Sequence, residues 1–498
     1  MTLLQLSGRA RVGADAVILP FFQGVRSIVP GPGVAELGAA WGTDLAAAVR
    51  ADRAFDGGVG QVSLVLGSGT VVVAVGLGPQ QLVGADQVCD AAMAATRRCR
   101  GYRRVSTTLA QVGPDAAGAV RATAEGVLLG SYDYQAVGRA PRPARSAAPE
   151  QVVLLIDAAL SRDPGVQHAF THGSAAGRAT SWIRQLVETP GGALTPADFA
   201  DVLRGRAREV GVKATVWSGR SLASRGFGGV LGVGAGSRNE PLVVELRAGS
   251  GPDAATLGLA GKGITFDSGG LNLKRDPDEI SWMKSDMAAA AAVAGAVFAA
   301  AELGCDTPVR ALLLLAENMP GGGAGRPGDV LTHPDGRTTE VTDTDCEGRL
   351  VLADGIAFLA TTNPAAIIDV GTLTDGGGVG NALWGAWGTD PELTSEVVRA
   401  GQVAGDPGWE LPLRREYEQY LSSRVADIVN CPQDVPDSGQ MAATYLRTFS
   451  GRTPWVHIDN GSSAYLELDR DPWPEGPTGS PARALLQLLV ARSSDRID

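Results

Sequence analysis

Only four of the 43 basic residues in this 498-residue chain are lysine, and only four residues are histidine, five cysteine and 5% aromatic. Charged residues make up 19%, below the quarter usual in soluble domains. Cys89, Cys99, Cys305, Cys346 and Cys431 are scattered and form no CxxC pair, which argues against a cysteine zinc module or a disulfide framework and fits a reducing compartment. With His168, His172, His333 and His457 as the whole histidine complement, a metal site has to be built mainly from carboxylates. The formal charge of -11, from 54 acids and 43 bases, argues against nucleic-acid binding driven by bulk charge. The opening MTLLQLSGRARVGADAV lacks a basic stretch followed by an apolar one, so no signal peptide is expected and a cytoplasmic location is. The best apolar run, 287–301, has 15 uncharged, alanine-rich residues. That is short of the roughly 20 a bilayer requires, so it reads as a buried helix and no membrane partner is expected.

What is present points to a large globular protein: 44% hydrophobic residues, 67 glycines, and a length that favours two domains. Residues 1–160 read as a smaller α/β domain. Val62 to Leu77 holds two β-rich runs broken at Gly67-Ser68-Gly69, a hairpin signal, and helical periodicity follows at 87–98 and 116–130. Residues 136–150, rich in Pro, Arg and Ala, read as an exposed connection. A strand at 152–156 and a helix at 166–187 lead into the larger domain, 161–498. There, strands at 241–246, 255–260, 309–316 and 365–370 alternate with helices at 286–303 and 348–361. Such alternation predicts an α/β fold with a central mixed, largely parallel sheet flanked by helices, its ligand crevice outside the carboxyl ends of the strands. The loops 261–274, 317–347 and 371–380 should converge there.

Three of the four lysines, Lys262, Lys274 and Lys284, fall within 23 positions of one another, with Lys213 apart. An amine, in contrast to a guanidinium, can deprotonate and act as a ligand, although a solvated surface role is the plainer reading of any one lysine. Alternation in Asp345-Cys346-Glu347 puts both carboxylates on one side of an extended segment. Asp286 and Arg349 stand at helix starts, where the positive helix end favours anions. Asp267, Asp286, Asp345 and Glu347 converging without cations would repel one another, so the set implies metal. With one lysine amine added, it suits two divalent ions that share bridging carboxylates. Helix caps and surface turns are the alternative.

The segments GKGITFDSGGLNLK (261–274), WMKSDM (282–287), ENMPGGGAGRPGDV (317–330), TDTDCEGRLVLADG (342–355) and DVGTLT (369–374) together resemble the two-metal leucine aminopeptidase family. Thr189–Pro196 and Pro454–Asp459 flank them in the family's order, and the likeness runs over roughly 165–498. It implies a metalloaminopeptidase that releases N-terminal amino acids, leucine-type by preference, from peptides. It also implies one divalent ion held by Asp267, Asp345 and Glu347, and a second held by Lys262, Asp267, Asp286 and Glu347, with manganese or zinc (or cobalt) as the metal. Lys274 would meet the substrate carbonyl and the tetrahedral oxyanion. Arg349 would hold a bicarbonate-like anion acting as general base, Thr372 and Leu373 would orient the peptide, and Met283 would line the first side-chain pocket. A cytosolic homohexamer is the implied assembly.

The chain departs from the family pattern at Asp343 (usually Asn), Cys346 (usually Ala), Ala288-Ala289 (usually Gly-Gly) and Asp375 (usually Gly). None removes a ligand, and side-chain preference is what they bear on. Asp343 lies two residues before Asp345, hence on the same side, at the pocket's edge. There it and Asp375 would disfavour acidic substrates, unless both merely cap neighbouring amides. A specialised dipeptidase or biosynthetic peptidase of the same fold is the rival within enzymes. From another class, an architectural DNA-binding role would draw on Arg97, Arg98, Arg100, Arg103 and Arg104. Other signals are weaker. His168 and His172 stand at i, i+4 but without the glutamate of a zincin helix. His457 and Asp459 have no G-x-S-x-G elbow and read as packing residues, and Gly232–Gly236 lacks dinucleotide spacing.

Overall fold

Residues 2–8, 13–67, 69–136, 147–252 and 255–493 are described by the structure, a computed structural model. Ser68 of the expected hairpin turn and most of the expected 136–150 connection lie outside them. The chain forms two units, 1–181 with 468–474, and 182–467 with 475–498.

The first unit is a seven-stranded sheet in the order Leu3–Ser7, Gln151–Leu155, Arg104–Thr107, Ala16–Gln23, Val71–Pro79, Val62–Leu66, with Val29–Pro30 pairing Ala16–Gln23. The expected hairpin forms, antiparallel from Val62 opposite Val75 to Leu66 opposite Val71. Helices Ala85–Arg98 and Ala116–Ser131 each extend the expected bounds by a residue or two. Four of the five arginines at 97–104 are engaged: Arg103 pairs with Glu150 at 2.9 Å, and Arg100 donates to the carbonyl of Tyr132. Arg97 donates to the carbonyl of Pro472, and Arg104 lies 3.9 Å from Asp15.

The second unit centres on an eight-stranded sheet in the order Gly408–Glu410, Trp384–Gly388, Trp455–Asp459, Ala366–Gly371, Leu257–Asp267, Val309–Asn318, Leu242–Ala248, Lys213–Ser218. Its four middle strands, from Trp455–Asp459 to Val309–Asn318, run parallel, and antiparallel pairing appears on both sides of them. This is the mixed, largely parallel α/β architecture that the alternation predicts.

One strand runs further than its sequence suggests. The glycines at 261 and 263 read as loop, yet the strand continues to Asp267. On one side it pairs with Val309–Asn318 as far as Asp267 opposite Asn318, and on the other its pairing with Ala366–Gly371 stops at Gly261 opposite Val370. The glycines serve packing instead: a Cβ at Gly261 would lie 2.7 Å from Ala290 Cα, so only glycine lets the helix Ala288–Glu302 sit this close. Every residue of that helix from Ala288 to Ala300 is buried, so the apolar run is a core helix. Past Gly261 the strand has a free side, and Lys262 is the first residue there.

The helix Glu347–Ala360, which brings in Glu347 and Arg349, is anchored by a buried carboxylate. Asp354 accepts from the Val230 amide at 2.8 Å and pairs with His333 Nδ1 at 2.7 Å. Its apolar face (Leu350, Val351, Ile356, Ala357) joins the main core with Trp217, Phe227 and Trp455.

Candidate active site

At the carboxyl ends of the parallel strands, the loops that the sequence expects to converge bring their charges together. Lys262 Nζ is buried 2.8 Å from Asp286 Oδ1 and 2.8 Å from Glu347 Oε1, and donates to the carbonyl of Thr372 at 2.8 Å. Lys274 Nζ lies 2.7 Å from Asp345 and 3.1 Å from Asp267. Asp267, Asp345 and Glu347 each place an oxygen within 4.8 Å of the other two. Asp286 closes a 3-10 turn, Met283–Ser285, two residues ahead of the helix Ala288–Glu302 rather than opening the helix itself. Met283 sits in that turn, half-buried.

The electrostatics show a cluster short of positive charge. Burial pushes the carboxyls of Asp286 and Glu347 upward and raises Asp345 to about 7. The charge of Asp267 adds to each rise, while the lysines oppose it. Burial pulls the Lys262 amine down, but Asp286, Glu347 and Asp267 outweigh it and the net direction is up. Lys274 behaves alike through Asp267 and Asp345. Asp286 Oδ2 and Glu347 Oε2 are buried with no hydrogen-bond partner, each a costly vacancy for a polar atom. Oxygen donors, one amine and unpartnered carboxylate oxygens are the chemistry that a pair of divalent ions would complete, so the residues fit such a centre.

Several residues take supporting roles that the sequence reading does not assign to them. Asn318 Nδ2 donates to Asp267 Oδ1 at 2.8 Å and to the Thr344 carbonyl at 2.9 Å, locking two ligand-bearing loops together. Thr372 Oγ1 donates to Asp286 Oδ1 at 2.7 Å. Asp459 accepts from the amides of Leu373 at 3.3 Å and Thr374 at 3.0 Å, so it positions the 372–374 run and is more than a packing residue. A strand-end aspartate beside a loop is the one cue that could have marked it. His457 is a packing residue, bonded to Asp369 at 2.6 Å and stacked on Trp387 and Trp455. His172 is buried and His168 exposed, so the two share no site.

Arg349 is buried and donates to both oxygens of Asp437, at 2.9 and 2.7 Å, and to the carbonyl of Asn430 at 3.0 Å. Its charge is thus met by a carboxylate of the chain itself, from a loop the sequence reading does not single out. Asp343 and Asp375 turn onto their own loops. Asp343 accepts from the Asp345 amide at 2.9 Å, and Asp375 from the amides of Gly377 and Gly378 at 3.1 Å.

Comparison with known proteins agrees over nearly the whole chain. The catalytic-domain profile of the cytosol aminopeptidase family matches residues 181–486, and its N-terminal-domain profile matches 32–139. A probable cytosol aminopeptidase of Streptomyces coelicolor is 38% identical over 98% of both chains. One of Roseiflexus castenholzii is 38% identical over 84% of this chain and 86% of its own. Among solved structures, the bottromycin maturation enzyme BotP is 36% identical with a TM-score of 0.82, covering 96% of this chain and 99% of its own. Its complex with Mn gives a TM-score of 0.83 at the same identity and coverage. With both family domains matched in order and full-length relatives at this identity, the chain belongs to the cytosol aminopeptidase family, whose members are metal-dependent peptidases.

Proposed function

We propose that this aminopeptidase removes N-terminal residues, leucine-type by preference, using two divalent ions held by Lys262, Asp267, Asp286, Asp345 and Glu347. The observation that carries the reading is the joining of five carboxylate and amine side chains from three separated segments at the carboxyl ends of the parallel strands, with two buried carboxylate oxygens unpartnered. When bound, the ions supply Lewis-acid polarisation and nucleophile activation at neutral pH. Lys274, half-buried beside Asp345, presents positive charge where an oxyanion would develop. The backbone at Thr372 and Leu373, held by Asp459, orients the peptide, with Met283 at the side-chain pocket, while Asp343 turns onto its own loop. Arg349 holds a bicarbonate-like anion in exchange for Asp437. All of these side chains lie in the expected catalytic domain, 161–498, and none in 1–160.

Manganese or zinc is the metal the donor set accepts, and a cytoplasmic homohexamer is the assembly that the family resemblance supports. The test is hydrolysis of leucyl anilide after exhaustive chelation and again after adding back manganese or zinc. Full activity in the chelated protein rejects the two-ion reading.

A second reading is favoured by the likeness to BotP, a maturation enzyme. Under it the chain is a specialised biosynthetic peptidase, selective for one peptide context. A panel of N-terminal residues and peptide lengths separates the two: broad turnover supports the first, and turnover confined to one context supports the second.

A further inference from the structure

The expected extended segment is instead a turn at 344–345 followed by the helix Glu347–Ala360, and Cys346, the cap residue between them, faces away from the carboxylate cluster. There Cys346 meets Cys431 and Asp343: the three side chains each place a donor atom within 4.8 Å of the other two. Cys431 is buried, while Cys346 and Asp343 are half-buried, so the cluster has an open side. The two segments are clamped by Asn430, whose Nδ2 donates to the carbonyls of Asp343 (2.7 Å) and Cys346 (3.3 Å). Its Oδ1 accepts from the Thr342 amide at 2.8 Å, and the Cys431 amide donates to Thr342 Oγ1 at 3.3 Å. The backbones that carry the two thiols are therefore held side by side.

We propose that Asp343, Cys346 and Cys431 form a further metal site for a thiophilic divalent cation such as zinc or cadmium, separate from the carboxylate–lysine cluster. In a tetrahedral zinc site with bonds near 2.3 Å, two sulfurs stand about 3.8 Å apart, a separation that small rotations within the observed spacing reach. Two sulfurs and one oxygen are a soft donor set, whereas the neighbouring cluster offers oxygen and amine. The fourth position belongs to water or to Asp437, whose Oδ2 is 3.6 Å from Cys346 Sγ. Taking Asp437 would release it from Arg349 and so couple this site to the anion-binding side of the catalytic one. On binding, each thiol loses its proton to solvent: one divalent ion and two thiols give one dithiolate complex and two protons.

The experiment is a cadmium titration of the manganese-saturated protein, followed by ultraviolet thiolate-to-cadmium charge-transfer absorption and by metal analysis. The expected result is absorption that rises to one equivalent per chain with manganese content unchanged. Cys431→Ser and Cys346→Ala should each lose that absorption together with one equivalent of bound cadmium. Alanine is the family's usual residue at the second position, so that variant keeps the fold testable. Three results overturn the proposal: no thiolate band in the wild type, a band undiminished in both variants, or a Cys346–Cys431 disulfide that leaves no thiol to bind. The absorption is independent of peptide hydrolysis, so its failure is distinguishable from failure of the two-ion reading.

Discussion

Replacing Gly348 by alanine should weaken metal binding and lower the stability of the metal-free protein together. Gly348 follows Glu347 in the first turn of a helix, and a Cβ there would lie 2.6 Å from Lys262 Nζ and Cε and 2.6 Å from Leu373 Cδ2. Ordinary contact begins at 3.4 Å, so the amine has to retreat by about 0.8 Å. It cannot retreat freely, because Asp286, Glu347 and the Thr372 carbonyl hold it on three sides at 2.8 Å each. Metal–ligand distances hold to within about 0.2 Å of their usual values, so a shift of this size misplaces the amine as a ligand. Metal affinity should fall by 10- to 100-fold, the usual effect of misorienting a ligand, or about 1.4–2.7 kcal/mol. The metal-free protein should also unfold earlier, since the same clash strains Lys262 against its three partners, and overpacking at about 1–3 kcal/mol outweighs the roughly 1 kcal/mol that alanine gains over glycine in a helix. The assay pairs thermal unfolding of the chelated protein with metal content at limiting manganese. Wild-type metal content in Gly348→Ala refutes the assignment of Lys262 as ligand.

Further expectations concern the remaining groups. Lys262→Arg should bind fewer ions per chain, because a guanidinium keeps its proton and cannot serve as a ligand; unchanged metal content and rate argue against it. His172 is held down to about 4, chiefly by burial and also by the charges of Arg121 and His168, so the fold requires it neutral. Unfolded histidine titrates near 6.5, so stability is full above that value and falls as pH drops, by about 2 kcal/mol between pH 7 and 5. Denaturant titrations at both pH values should show a shallower loss in His172→Gln, and an equal loss in both proteins refutes the attribution. Because Asp437 occupies the guanidinium fork of Arg349, added bicarbonate should raise the rate more in Asp437→Ala than in wild type. An identical response would show that the fork takes no external anion.

What the sequence made legible was the set of residues whose chemistry is costly to place. Buried carboxylates and a buried amine carry their identity in type and order. Pattern located the strands and helices that carry most of them, Leu257–Asp267, Val309–Asn318, Ala366–Gly371, Ala288–Glu302 and Glu347–Ala360. It did not locate strands such as Lys213–Ser218 and Trp384–Gly388 or the helices Pro196–Glu209 and Pro391–Ala404. What stayed hidden was what pairs across distance. Asn318, Asp459 and Asp437 act on the site through partners dozens of residues away, and their local pattern does not name those partners. The extension of the strand Leu257–Asp267 through Gly261 and Gly263 was hidden for a related reason. Glycine signals a loop locally, and the close helix that makes it a packing residue arrives some 25 residues later.

The two extra carboxylates show how such partners decide function. Alternation alone turns Asp343 toward the pocket and so predicts that acidic substrates are disfavoured. The hydrogen bonds give a competing use: Asp375 closes its own turn through two amides, and Asp343 caps Asp345. A carboxylate that already accepts from backbone amides has part of its charge met locally, and at an exposed position its reach to a substrate is screened within about 8–10 Å. Asp375→Gly should therefore loosen the 375–378 turn and leave the order of leucyl, arginyl and glutamyl anilides unchanged. If that substitution raises glutamyl turnover relative to leucyl by tenfold or more, the carboxylate acts on substrate across the site, and the turn-capping account of Asp375 fails.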